Sequence, residues 1–96
     1  MTAREEYVRK MHSKLDQMNN EIDKLVASKD KIAESGRIEF DKQMDELRHR
    51  RDDALAKLDQ LQGASENAWE DIKAGTELAW EAITQSIESA RTRFKS

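Results

Sequence analysis

Val8, Met11, Leu15, Met18, Ile22 and Leu25 follow one another at intervals of three, four, three, four and three residues. No other feature limits so strongly what the chain can become. Such spacing gathers all six side chains on one stripe of an α-helix, whereas a strand would scatter them over both faces. It is the pattern of a heptad seam. In the same register Lys29 takes a seam place and Ile32 follows, so the stripe weakens before Ser35-Gly36. Acid-to-base steps of four residues, Glu5 to Arg9 and Glu6 to Lys10, support a helical surface beside the seam. Asn19-Asn20 interrupts little, because Met18 and Ile22 keep the stripe in phase.

A second segment carries Phe40, Met44, Leu47, Ala54, Leu55, Leu58 and Leu61. Arg51 occupies the seam place between Leu47 and Ala54. Its long stem is expected to cover apolar surface while the guanidinium stays in water, a register-fixing role being the sharper alternative. Glu46 to Arg50 and Asp53 to Lys57 again mark an exposed face.

The third segment changes period. Ala68-Trp69-Glu70-Asp71-Ile72 returns eleven residues later as Ala79-Trp80-Glu81-Ala82-Ile83, with a fainter copy at Ala90 and Phe94. Eleven residues correspond to about 3.67 per turn, a seam that runs nearly straight or slightly right-handed. Trp69, Ile72, Thr76, Trp80, Ile83, Ile87 and Phe94 then fall on one narrow face, with Ala68, Ala79 and Ala90 along its side. Burying both indoles would contribute at most about 4–6 kcal/mol each. That outweighs the poor helix propensities of Gly75, Thr76, Thr84, Ser86 and Ser89, so the face should be covered by something.

The breaks follow from the same reading. Gln62 to Asn67 looks like a helix end and restart, Gly63 suiting a left-handed position after the helix and Ser65 an N-cap. Ser35-Gly36 offers a weaker break. Gly75, inside the repeat, points to close helix approach. The expectation is an all-α protein whose long amphipathic helices form an antiparallel coiled-coil hairpin, broken most clearly near Gly63–Ser65. Its segments are 1–34, 37–62 and 65–95 of a single domain. A three-helix bundle and a single rod are the other arrangements, and the narrow seams argue against a monomeric three-helix bundle, whose helices need wider apolar faces. Self-association is therefore expected, through Trp69, Ile72, Trp80, Ile83, Ile87 and Phe94, with Leu47, Leu58 and Leu61 facing them.

Composition supports this and narrows the chemistry. Of 96 residues 39% are charged and 36% hydrophobic, with no proline and no cysteine. Low hydrophobicity with high charge also describes disordered chains, but ordered apolar spacing without proline favours helices. The net charge of −3 arises from intermixed signs, which gives no footprint for nucleic acid. Nothing resembles a signal peptide or a membrane span, so a soluble, cytoplasmic protein is expected. His12 and His49 are isolated on polar faces; His12 with Asp16 makes two ligands, too few for a metal site. Arg48-His49-Arg50-Arg51 could touch phosphates, but Asp45, Glu46, Asp52 and Asp53 flank it. With no phosphate loop and no convergent catalytic group, neither an enzyme nor a cofactor or metal site is expected.

The run from Ser65 to Gly75, the pair Ala79-Trp80 and the stretch Ala90 to Phe94 resemble a group of small bacterial coiled-coil proteins of unassigned function. That resemblance implies a helical, self-associating protein of bacterial origin and carries no catalytic residues. A more distant similarity is to the eleven-residue amphipathic repeats of apolipoproteins and late-embryogenesis-abundant proteins, although the basic flank and proline punctuation are missing. The leading functional expectation is a non-enzymatic scaffold that self-associates. Its rivals are a reversible membrane-surface binder using the same tryptophan stripe and an adaptor docking the helix of another protein.

Overall fold

The computed structural model describes residues 2–94. Met1 and Lys95, at the outer ends of the first and third segments, lie outside the described residues. Three α-helices carry the fold: α1 (Ala3–Ala27), α2 (Arg37–Gln62) and α3 (Glu66–Arg93). Each starts or stops for a local reason. The Thr2 hydroxyl accepts from the Glu5 backbone N–H at 3.2 Å, capping α1. Ser65 caps α3 in the same way, accepting from the Ala68 N–H at 3.3 Å. Glu5 and Glu6 in the first turn of α1, and Arg91 and Arg93 in the last turn of α3, complement the helix dipoles.

The hairpin with its break at Gly63–Ser65 is present as α2 and α3. The left-handed glycine is not. Gly63 has φ −94° and ψ 5°, and the turn closes through an Ala64 N–H to Leu61 C=O hydrogen bond of 3.2 Å. The weaker break is a real one too. α1 stops at Ala27, and two short 3-10 turns, Ser28–Lys31 and Glu34–Gly36, lead into α2. Ser28 helps to end α1 by turning its hydroxyl back onto the Leu25 carbonyl at 2.6 Å. Ion pairing of Lys29 with Asp41 at 3.0 Å holds the connection against α2.

The helices run up, down and up. Side chains from α1, α2 and α3 meet near one end of the bundle in a core of Val8, Met11, Leu15, Ala54, Leu58, Leu61, Ala79 and Trp80. Toward the other end Ile22, Phe40, Met44, Leu47, Ile83, Ile87 and Ala90 form a second cluster. Phe40 and Phe94 close that end edge to face, 5.0 Å between centroids. The whole measures 50 × 21 × 16 Å. The narrow stripes suffice because small and amphipathic residues widen them. Ala54, Ala90 and Thr76 are fully buried, and Thr76 returns its hydroxyl to the Ile72 carbonyl at 2.9 Å. A single chain thus covers its own seams.

Gly75 corrects a further expectation. It sits in the interior of α3, and a Cβ built there meets nothing within 4 Å. Inside the bundle no neighbouring helix approaches it.

Candidate functional site

The residues singled out by the repeat divide into two groups. Trp80, Ile83, Ile87, Leu47, Leu58 and Leu61 are buried, while Trp69, Ile72 and Phe94 are half-buried at the edges of the same core. The two indoles, equivalent in the repeat, therefore occupy different environments. Trp80 lies in the core with its indole N–H buried and, among the described residues, without a hydrogen-bond partner. Trp69 sits at the end of the bundle. Tyr7 meets it edge-on at 6.0 Å, and the Arg4 guanidinium lies over its ring at 4.3 Å.

Arg4 does more than stack. It donates through a terminal nitrogen to the Ala64 carbonyl at 2.6 Å, tying the start of α1 to the α2–α3 turn. Tyr7 crosses from α1 to α3 and donates its hydroxyl to Glu77 at 3.1 Å. Partial burial, together with that hydrogen bond and the negative charge of Glu77, pushes the phenol up to about 12. Farther along, Glu21 and Arg91 pair between α1 and α3, and Arg93 pairs with Glu39 at 3.2 Å between α3 and α2.

Between the helix ends lies a cleft of about 480 Å³, lined by Arg4, Glu5, Val8, Arg9, His12, Leu61, Gln62 and Trp69. His12, expected to be isolated, points its Nε2 toward Gln62 Nε2 at 3.3 Å across this cleft. His49 packs its Nδ1 against the Asp45 carbonyl at 2.8 Å. Among the described residues no group of three or more metal-ligating side chains comes together. In the basic run, Arg48 pairs with Asp45 at 3.6 Å, Arg50 with Glu46 at 2.7 Å and Arg51 with Asp52 at 3.1 Å. Of the four helical acid–base steps, Glu46–Arg50 and Asp53–Lys57 (3.9 Å) form ion pairs. Glu5 and Arg9 do not, and neither do Glu6 and Lys10, among the described residues.

The outward face of α3 is a feature the repeat did not reveal. Ala74, Leu78, Ala82, Gln85, Ser89 and Thr92 fall within about 80° of one another on the helix, at 100° per residue. None is charged, and Leu78 is 67% exposed. Beside this face a shallow groove of about 270 Å³ separates α3 from α2, with Glu46 and Arg50 on its α2 side and Ala82, Ser86 and Ser89 on the other. The signal for it was the absence of charge along one helical face, which is harder to notice than a row of tryptophans. Among the described residues no helix is long and apolar enough to cross a membrane. Comparison with protein-family models, with curated proteins and with solved structures finds no match for this chain.

Proposed function

We propose that the chain is a non-enzymatic helical-bundle module that assembles with further copies of itself, and that it does so through the outward face of α3. The observation that carries this reading is the uncharged row from Ala74 to Thr92 with Leu78 exposed at its centre. In a chain with 39% charged residues, a helix face of five turns without one charge is unlike the solvated faces around it. An exposed leucine among small residues suits helix-to-helix contact, because small side chains let a second backbone come close. On the α2 rim Glu46 and Arg50 pair with each other at 2.7 Å, so the groove beside this face sets no net charge against a second copy. The membrane-surface reading needs the tryptophan stripe of α3 free; Trp80, Ile83 and Ile87 of that stripe are covered by α1 and α2 and Trp69, Ile72 and Phe94 are half-buried, which favours assembly of preformed bundles.

Sedimentation over a concentration series tests the proposal. The expected outcome is a reversible dimer or higher species, weakened at least tenfold by Leu78→Glu with helicity unchanged. A chain that stays monomeric at millimolar concentration, or a variant that associates like the parent, overturns it.

A further inference from the structure

We propose that the cleft at the Trp69 end of the bundle binds a small anionic amphiphile, a carboxylate carrying a single apolar tail. This inference is independent of self-association, since the cleft lies between the start of α1 and the end of α2, away from the Leu78 face. Three observations converge on it.

The first is shape and lining. The cleft, about 480 Å³, falls in the range of small-ligand sites, ~300–1,000 Å³. Its apolar side is the half-buried Trp69 ring, backed by the buried core residues Val8 and Leu61. Such a surface offers nothing to a fully polar ion and suits a hydrocarbon tail.

The second is charge. Arg4 and Arg9 stand around the cleft against one acid, Glu5, and His12 lines it as a further polar group. In the rest of the molecule the arginines of α2 and α3 beyond Arg37 are neutralised: Arg48, Arg50, Arg51, Arg91 and Arg93 each pair with a carboxylate. Among the described residues neither Arg4 nor Arg9 has a carboxylate within ion-pairing distance, although the chain holds 20 acidic residues. A guanidinium fork matches a carboxylate with two parallel hydrogen bonds.

The third is order. Arg4 is held between the Trp69 ring and the Ala64 carbonyl, so one cation is already placed at the cleft before any ligand arrives. Restraining a side chain in advance lowers the cost of ordering it on binding. Arg9, exposed about one and a half turns farther along α1, is the partner that closes on the head group while the tail lies against the Trp69 ring.

The test uses the full chain, with decanoate, 1-decanol and acetate as probes. Backbone amide shifts locate binding, and tryptophan emission gives the affinity. Decanoate is expected to bind saturably, to move amides of residues 4–12 and 61–69, and to bind at least tenfold tighter than decanol. Acetate is expected not to compete, because it lacks the tail. Arg9→Gln should weaken decanoate several-fold and leave decanol unchanged. Glu5→Gln, which removes the opposing carboxylate, should tighten decanoate. Both positions are exposed, so the melting transition checks that the fold is kept, and the gain expected of Glu5→Gln cannot come from misfolding. Equal affinity for decanoate and decanol, effective competition by acetate, shifts confined to other regions, or an unaltered Arg9→Gln protein would each overturn the assignment.

Discussion

Gly75→Ala should stabilise this protein, and the size of the effect follows from a few local facts. Gly75 is the tenth residue of a 28-residue helix, far from either cap, so both helical hydrogen-bonding partners are in place. No glycine in the described chain has a positive φ, so an L side chain fits the backbone without strain. A Cβ there meets nothing within 4 Å, so no packing is gained and no clash is made. What remains is the difference in helix propensity, about 0.8–1 kcal/mol in favour of alanine, much of it from the conformational freedom glycine has when unfolded. For a domain of this size that corresponds to roughly 4–8 °C in melting temperature. The assay is urea and thermal unfolding followed by far-ultraviolet circular dichroism, at a dilution where sedimentation shows one species. The urea slope should stay constant while the midpoint rises. A loss of stability would refute the reasoning, because it would mean that another helix approaches α3 at this point. The repeat alone had pointed to such an approach, which makes the sign of the change a direct contest between sequence and structure.

Other outcomes follow from the same contacts. With Trp69→Phe, the remaining indole of Trp80 should emit at short wavelength and resist aqueous quenchers, whereas Trp80→Phe should leave a redder, more accessible Trp69; the same spectrum from both variants would contradict their different burial. The Tyr7 phenol, pushed up to about 12 by burial and by Glu77, keeps its proton in the folded state at pH values where the unfolded chain, near 10, loses it. The associated stability is complete below pH 10 and declines as pH rises from about 10 to about 12. Ultraviolet titration should show the late ionisation, and Glu77→Gln should move it down; a Tyr7 titrating near 10 in the parent would exclude the pairing.

Much of the fold is legible because burial writes itself into spacing. Val8, Met11, Leu15 and Ile22 are buried as their heptad places require, with Met18 and Leu25 half-buried beside them. In the second segment Phe40, Met44, Leu47, Ala54, Leu58 and Leu61 are buried, and Leu55, one step off the stripe, is 39% exposed. Ser65 is readable as a cap because its hydroxyl has one local task. The α1–α2 connection is harder, since Lys29 and Ile32 continue the register while the helix ends at Ser28, whose hydroxyl and backbone N–H both turn back onto the last carbonyls of α1. The width of the apolar faces is misleading for a related reason. Alanine and threonine read as neutral in a sequence, yet Ala54, Ala90 and Thr76 fill the core by letting helices come close. The cleft is the least legible feature. Arg4, His12, Gln62 and Trp69 meet only because α1 returns beside the α2–α3 turn, and no local pattern encodes that meeting.

That three α-helices, an odd number, pack antiparallel in turn among the described residues has a geometric consequence. Thr2 begins α1 beside the α2–α3 turn, where Arg4 touches Ala64, while Phe94 ends α3 against Phe40 at the opposite pole. A two- or four-helix array would bring the two ends of the chain to the same side. Here Thr2 and Phe94 lie at opposite ends of the long dimension of 50 Å. Anything joined to Thr2 and anything joined to Phe94 would be held apart by a stiff strut, and bundles set end to end would extend a line instead of doubling back.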